Sequence, residues 1–191
     1  MTKLKKLWKI RLSGTGGQGL ISASIILAEA LIMDGENVVQ SQSYGAEARG
    51  GASKGEVIVS NGVERILYPK IDEANVLLCL SREALSKYLG SLSPEGILIV
   101  DSTNIPEEPE TEATVYHVPI TRIARTEAGA EIAANIVALG VIAAITKIVP
   151  KVRLVDAIAK YLPKRFLAAN KKALDAGYKA GKAAAMMNDR T

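Results

Sequence analysis

Thiol and imidazole side chains are almost missing from this chain, which has one cysteine and one histidine among 191 residues. Cys79 lies inside an apolar run, and a single thiol builds neither an intrachain disulfide nor a four-thiolate iron–sulfur site. His117 has no companion at metal-ligand spacing. The sequence therefore predicts a buried, unreactive thiol and no metal centre in this chain.

Aromatic residues are also scarce, at 4% of the chain, so the stacking platforms used to bind single-stranded nucleic acid are missing. The net charge of +4 is scattered and favours an anionic ligand or an acidic partner over DNA. The apolar stretch 132–145 is too short to span a bilayer, and the basic residues 1–9 lead directly into a strand. These features predict a cytoplasmic protein without nucleic-acid or membrane partners.

A glycine-rich loop stands near the start of the chain, between a predicted strand and a predicted helix. Apolar alternation over residues 8–12 indicates the strand, and the small apolar residues within 18–33 indicate the helix. Glycine lets a ligand approach the backbone, and the unpaired amides of a helix's first turn attract anions. We therefore predict an anion-binding loop made of Gly14, Thr15, Gly16, Gly17, Gln18 and Gly19.

The glycines of this loop have different expected roles. Gly14, Gly16 and Gly19 are expected at turn and close-approach positions, while Gly17 adds backbone freedom. The alternative is a tight turn that only lets the helix pack close to the sheet.

A dinucleotide site is not favoured, because a Rossmann NAD site needs an acidic residue at the end of the second strand. The second predicted strand, residues 37–42, ends in Gln40, Ser41 and Gln42 instead. No Gly-Lys-Ser/Thr follows the turn, which excludes a P-loop, and one histidine gives little basis for a Ser-His-Asp site. The chain therefore shows no catalytic residues of its own.

A second loop, residues 44–53, matches neither helical nor strand periodicity, and long loops in compact domains are commonly functional. Arg49 offers a charged fork to phosphate or carboxylate, and Glu47 is placed to hold it; the alternative is a surface ion pair of little energetic value. Both loops are expected at the carboxyl ends of parallel strands and so to face one crevice. The candidate residues of this loop are Tyr44, Glu47, Arg49, Gly50, Gly51 and Ser53.

The following segments alternate between strands and helices. Residues 54–60 and 63–68, joined by Asn61-Gly62, predict an antiparallel hairpin whose face and edges are open to a partner. Further strands are predicted at 75–80, 96–100 and 115–118, with a helix at 82–89 and a solvated acidic loop at 105–114. The predicted fold class is α/β: a three-layer, Rossmann-like, mostly parallel sheet with an inserted β-hairpin and a helical C-terminal region.

The chain after Pro119 is predicted to be helical. Residues 133–148 are almost wholly apolar, so this helix must be buried in a core or against another chain. Residues 166–187 form a longer amphipathic helix whose lysines make a solvated face. We predict one domain over residues 1–191, with the helices of residues 150–191 packed on it.

Two separated motifs resemble one family. Residues 14–19 with the alanine-rich helix, and Ser43-Tyr44-Gly45-x-Glu47-x-Arg49-Gly50-Gly51-x-Ser53, are similar to γ subunits of 2-oxoacid:ferredoxin oxidoreductases. Within this family, whose members act on 2-oxoglutarate, pyruvate or ketoisovalerate, the 2-oxoglutarate type is nearest. The resemblance continues through Tyr68-Pro69, residues 75–88 and Asn135-x-x-Ala138-Leu139-Gly140. Ala46 and Ala48 depart from the proline and the larger residue expected there, which bears on the substrate class.

The resemblance implies a subunit of an enzyme that decarboxylates a 2-oxoacid, transfers the acyl group to coenzyme A and reduces ferredoxin. It implies that coenzyme A binds at a subunit interface, with the glycine loop holding a phosphate, Arg49 or Lys54 supplying charge and Tyr44 helping to position the thiol arm. Thiamine diphosphate and the iron–sulfur clusters would lie on partner α and β subunits, with a δ subunit where one exists, and ferredoxin would be served indirectly. This chain alone would then hold no cofactor.

Two other interpretations stay open. One is a free-standing nucleotide- or anion-binding module that regulates a partner. The other is the β subunit of the indolepyruvate type, where histidine is expected in place of Tyr44. Expressed alone, the chain is expected to form a homo-oligomer through the helix at 133–148 or the hairpin, because surfaces meant for partners would be uncovered.

Overall fold

Six β-strands form one sheet in the computed structural model, which describes residues 7–42, 52–60 and 65–188. Across the sheet the order is β2-β3-β1-β4-β5-β6, with β3 antiparallel to both of its neighbours and the other pairs parallel. The predicted α/β fold with a mostly parallel sheet is confirmed. The strands are β1 (Leu7–Thr15), β2 (Asn37–Gln42), β3 (Ala52–Ser60), β4 (Ala74–Cys79), β5 (Leu92–Asp101) and β6 (Thr114–Val118).

Helices fill most of the remaining described chain, and the region after Pro119 is helical as predicted. Three short 3-10 turns, Leu89–Ser91, Glu131–Ala133 and Lys164–Phe166, precede or follow the longer helices. Within the described ranges, every helix is too short or too polar to traverse a bilayer. The helices are α1 (Leu20–Met33), α2 (Arg82–Tyr88), α3 (Ile120–Glu127), α4 (Ala134–Thr146), α5 (Lys151–Tyr161) and α6 (Leu167–Asn188).

A hairpin is present, but its arms are β2 and β3 rather than the predicted pair. β3 pairs with β2 on one side and with β1 on the other. Residues 65–68, which belong to the predicted second arm, form no strand, and the predicted turn at Asn61-Gly62 lies outside the described residues. The apolar run Val57, Ile58 and Val59 is buried on both faces, which favours an interior strand. β3 therefore offers no free edge to a partner.

The apolar helix α4 is buried within its own chain. α6 lies so close to it that a Cβ on Gly177 would stand 2.0 Å from the Val137 carbonyl oxygen. α1, α3 and α5 also contact α4. The expected self-association cannot use this helix, because the chain's own helices already cover it. The predicted solvated face of α6 is confirmed by its exposed lysines, Lys171, Lys172, Lys179 and Lys182.

The two faces of the sheet are covered unequally. Helices α1 and α3 to α6 belong to one face, where their apolar residues share a core with Ile10, Leu12 and Val57. On the other face the short helix α2 and segments carrying Ile71 and Ile105 cover the strands. Side chains alternate along a strand, so each strand contributes to both layers.

Candidate functional site

The glycine loop and the second loop are anchored at the same edge of the sheet. Thr15, the last residue of β1, pairs with Ala52, the first residue of β3, and Gly14 pairs with Ser53. Residues 43–51 connect the end of β2 to the start of β3, so both of their anchors lie at the carboxyl edge of the parallel strands. This edge is where ligands bind in open α/β sheets. The candidates Tyr44, Glu47, Arg49, Gly50 and Gly51 lie outside the described residues.

The glycine loop combines two left-handed residues with one crowded residue. Gly17 and Gly19 have φ values of 90° and 72°. A Cβ on Gly14 would lie 2.2 Å from Gln18 Oε1 and 3.1 Å from Leu80 Cβ, so Gly14 allows close packing. Gly16 is exposed. Gly16 and Gly17 both lie in the turn, and Gly17, which was expected only to add backbone freedom, has the positive φ.

Gln18 closes the loop on itself. Its Oε1 accepts the Thr15 N–H at 2.8 Å, so this amide is satisfied within the loop. The helix that follows has Gly19 at its N-cap and no side-chain cap. The first-turn amides of α1 are therefore the donors that remain to face an anion, at the positive end of the helix dipole.

Two small clefts adjoin the loop. One, of about 300 Å³, has a mostly polar lining and lies between the glycine loop and the start of α2. The other, of about 230 Å³, lies between the loop and the segment before α4, and Gln18 and Glu131 border both. The first is lined by Thr15, Gln18, Leu80, Ser81, Arg82, Glu83, Asn104 and Glu131, and the second by Gly17, Gln18, Thr121, Glu131, Ile132 and Ala134.

Asp101 is hydrogen-bonded to Asn104 and Thr121, which line these two clefts. Its fully buried carboxylate accepts hydrogen bonds from the Thr121 N–H and hydroxyl, from the Thr103 N–H and from Asn104 Nδ2. Asn104 Nδ2 also contacts the Leu80 carbonyl at 3.1 Å. These bonds tie the end of β5 to the start of α3 and the end of β4. Asp101 is therefore a structural carboxylate, because its oxygens already accept several donors.

A buried ion cluster lies under the start of β3, on the α2 face of the sheet. Arg11 donates to Glu56 Oε1 at 2.7 Å and to the Ile71 carbonyl at 2.6 Å. Lys54 Nζ lies 3.0 Å from the same Glu56 oxygen, and both cations lie over the ring of Tyr88. The Tyr88 hydroxyl donates to the Ala52 carbonyl at 3.3 Å. The cluster thereby fixes the residue at which the segment 43–51 rejoins the sheet.

The comparisons with known proteins agree on one family. The family model for pyruvate ferredoxin/flavodoxin oxidoreductases matches residues 9–180. The chain belongs to this family. It is 42% identical to the 2-oxoglutarate synthase subunit KorC of Methanocaldococcus jannaschii over 183 residues, covering 94% of this chain and 97% of that protein.

Two solved structures have the same fold as this chain. The γ subunit of a keto/oxoacid ferredoxin oxidoreductase from Geobacter sulfurreducens is 43% identical, with a TM-score of 0.83 over 93% of this chain and 99% of that one. The 2-oxoglutarate:ferredoxin oxidoreductase of Magnetococcus marinus, solved with 2-oxoglutarate, coenzyme A and succinyl-CoA bound, is 25% identical with a TM-score of 0.84. That match covers 94% of this chain but 32% of the other, which is therefore much longer.

Lys54 is less available to a ligand than the family resemblance implied. Its ammonium is held by Glu56, and its side chain is 19% exposed. One carboxylate facing two cations leaves the cluster with excess positive charge, which favours anions near the start of β3. Arg49, the other cation expected to contact a ligand, lies outside the described residues.

The single cysteine pairs with Ser13, the residue before the glycine loop, and the single histidine lies in β6. Cys79 is fully buried, and burial raises the pKa of its thiol to about 12 although Ser13 Oγ lies 3.4 Å from its sulfur. His117 Nε2 lies 2.9 Å from Glu108 Oε2. Among residues 7–42, 52–60 and 65–188, His, Cys, Asp and Glu side chains form no group of three that could hold a metal ion.

Sequence reasoning missed several residues that shape the site. The buried Arg11–Glu56 pair had a local signal, because each charge interrupts an otherwise apolar strand pattern. Asn135 was noted as part of the resemblance, but nothing in the sequence placed it beside the glycine loop. Asp101 directly follows the strand predicted at 96–100, and no local pattern indicated its buried hydrogen bonds. These roles depend on contacts between residues far apart in the chain, which local periodicity does not contain.

Proposed function

We propose that this chain is the γ subunit of a 2-oxoglutarate:ferredoxin oxidoreductase, where it contributes to coenzyme A binding and to assembly with the catalytic subunits. The observation that carries the proposal is the pairing of Gly14 with Ser53, which brings the anchors of both loops to one edge of the sheet. The similarity to KorC over nearly the whole chain and the coenzyme A in the Magnetococcus enzyme support it.

The glycine loop suits a phosphate of coenzyme A. Gly17 faces open space and α1 carries no side-chain cap, so an anion can approach the first-turn amides. Arg49 would add charge from the second loop, and the excess positive charge of the Arg11–Glu56–Lys54 cluster would lie behind it. Tyr44 and its neighbours would guide the thiol arm toward a partner subunit. These residues bind and orient the substrate and do not react with it.

The complete reaction needs further subunits. A 2-oxoacid, coenzyme A and two oxidised ferredoxins would give the acyl-CoA, carbon dioxide, a proton and two reduced ferredoxins. Thiamine diphosphate and iron–sulfur clusters on partner subunits would supply the decarboxylation and the electron transfer. This chain has one buried thiol, which does not fit cluster ligation. Its contribution is to hold coenzyme A at the correct distance and orientation.

The partners in this proposal are α and β subunits, with a δ subunit where one exists, in the cytoplasm. In the Magnetococcus enzyme the matching region is about a third of a longer chain, which supports a need for further protein regions besides this one in the complete enzyme. Leu67 and Tyr68 are 88% and 61% exposed and are candidates for contact with such a partner. Homo-oligomers of the isolated chain would use residues of this kind instead of α4 or β3.

A pair of glycine variants tests the coenzyme site. Gly17 and Gly35 both have φ near 90°, both face open space, and they lie beyond opposite ends of α1. Alanine at either position should cost about 1–2 kcal/mol of stability through the same backbone strain. We expect only Gly17→Ala to weaken coenzyme A binding, by about 10-fold, in calorimetric titrations of the assembled enzyme.

Two further variants complete this test. Gly16→Val should obstruct the exposed approach to the loop, and Arg49→Ala should remove the charge supplied by the second loop. Each is expected to weaken coenzyme A binding without preventing assembly. If Gly17→Ala, Gly16→Val and Arg49→Ala all bind coenzyme A as tightly as Gly35→Ala, the proposed site is wrong.

A further inference from the structure

A side chain from a distant part of the sequence contacts the glycine loop. Asn135, near the start of α4, donates from Nδ2 to the carbonyl oxygen of Gly19 at 3.2 Å. The same oxygen accepts the Ala23 N–H at 2.9 Å, which is an early hydrogen bond of α1. Asn135 therefore restrains the residue at which the loop becomes a helix, and with it the direction of the first-turn amides.

The orientation of the Asn135 amide is set by a second hydrogen bond. Its Oδ1 accepts the Ile136 N–H at 2.8 Å, so Nδ2 is the atom that faces Gly19. A Cβ on Gly19 would lie 2.6 Å from this nitrogen. The amide thus occupies the space that a side chain at position 19 would need, in addition to donating a hydrogen bond.

The support behind Asn135 is rigid. α4 and α6 interlock closely, since a Cβ on Gly140 would lie 2.4 Å from the Leu174 carbonyl oxygen. A close-packed interior leaves little room for such a helix to move. The contact therefore links the loop to one of the most deeply buried elements described in the chain.

We infer that Asn135 is a positioning residue for the glycine loop. It acts through Gly19, and it aims the first-turn amides of α1 at the place where an anionic group would bind. The identity of that group as coenzyme A rests on the proposed function. The restraint on the loop does not, because it follows from contacts within this chain.

Two substitutions separate the hydrogen bond from the packing. Asn135→Asp keeps the volume and the acceptor for Ile136 but loses the donor to Gly19 and adds a negative charge, while Asn135→Ala loses both hydrogen bonds and the side-chain volume without adding charge. Asn170→Ala is the matched control, because Asn170 Nδ2 donates to the Phe166 carbonyl at 2.9 Å on α6, away from the loop. Unfolding free energies of all three variants verify that they fold.

The measurements are amide hydrogen exchange of residues 16–21 in the assembled complex, and KM and kcat for coenzyme A. One lost neutral hydrogen bond corresponds to about a 2- to 10-fold change in an equilibrium. We expect exchange in the loop to accelerate by this factor in both Asn135 variants. KM should rise at least as much, with kcat unchanged, because substrate binding alone is weakened. Asn170→Ala should change none of these values.

Two results would overturn the inference. Unchanged exchange in the loop would show that Asn135 does not restrain it. Faster exchange spread equally over α4 and α6 would show a general structural role instead. Faster exchange confined to the loop, together with an unchanged KM for coenzyme A, would uphold the role of Asn135 and reject the glycine loop as the coenzyme site.

Discussion

The two faces of the sheet are formed by the same strands but bury different kinds of side chain. On the helical face, β1 and β3 present Ile10, Leu12, Val57 and Val59 to a core shared with apolar helices. On the α2 face, the alternate positions of these strands present Arg11, Lys54 and Glu56, with one carboxylate between two cations. The contrast indicates that the helical face provides stability. The charged face fixes Ala52, the residue at which the segment 43–51 rejoins the sheet.

The largest expected effect comes from breaking the charged face. Glu56→Ala leaves Arg11 and Lys54 without their shared carboxylate in a buried setting, where the cost is about 3–5 kcal/mol. The exposed pair Lys151–Asp175, with side chains 41% and 59% exposed, is the control, and Asp175→Ala should cost less than about 1 kcal/mol. Urea unfolding measures both. Equal losses would contradict the contrast between buried and exposed pairs.

The helical face should respond to added volume. Gly177→Ala places a methyl group 2.0 Å from the Val137 carbonyl oxygen, so the helices must separate at a cost of about 1–3 kcal/mol despite the better helix propensity of alanine. Gly90→Ala is the control, because its Cβ would meet nothing within 4 Å. Its unfolding free energy should stay within about 0.5 kcal/mol of the parent chain. Equal tolerance at both positions would argue against close packing of α4 and α6.

A double substitution sharpens the comparison by removing most of the charge from the α2 face. Arg11→Met with Glu56→Leu removes the two most buried charges at once, while Lys54, whose side chain is 19% exposed, keeps its charge. Replacing a buried ion pair by apolar residues is commonly neutral or stabilising. We expect an unfolding free energy within about 1–2 kcal/mol of the parent. Coenzyme A affinity should nevertheless fall, because the anchor near Ala52 loses its fixed position. A double variant as unstable as Glu56→Ala would mean that the ion pair itself provides net stability.

The smallest effect near neutral pH concerns Cys79, which lies on the α2 face. Burial raises the pKa of its thiol to about 12, so the folded state favours the protonated thiol. The resulting stability is present in full below the unfolded pKa of about 8.5 and is lost as the pH rises toward 12. At pH 8, iodoacetamide should label the folded chain at least about 100-fold more slowly than the urea-unfolded chain. Similar rates would show that the thiol is accessible.

Local patterns were sufficient for much of the fold. The alternation in β1, the apolar runs of β4 and β5 and the helix of α4 were all predicted near their observed positions, because each depends on the periodicity of a single segment. A strand was predicted at 54–60, within β3, but its place in the sheet between β2 and β1 was not. Asn61-Gly62 favoured a hairpin with the residues that follow, whereas Val57 to Val59 are buried between β1 and β2. Tertiary burial, rather than the local turn signal, decides which strands β3 pairs with.

The candidate site was likewise predicted only as far as local sequence patterns reach. Glycines after a strand predicted the loop and the edge of the sheet at which it lies. Which glycine has a positive φ depends on the turn that forms, and that residue is Gly17 rather than Gly16. Arg11 and Glu56 are 45 residues apart, and Asn135 and Gly19 are 116 apart. Pairings over such distances are set by the strand order and helix packing, which a single sequence does not display.

The β2–β3 connection has a consequence for how this chain can be altered. Residues 43–51 join two strands that are hydrogen-bonded to each other, and register is held by the strand pairs on either side. Changes in the length of this segment should cost the sheet little, because loop-closure entropy grows slowly with length and the strand pairs fix the register. A chimera carrying the corresponding segment of another family member would therefore test whether this segment sets ligand preference.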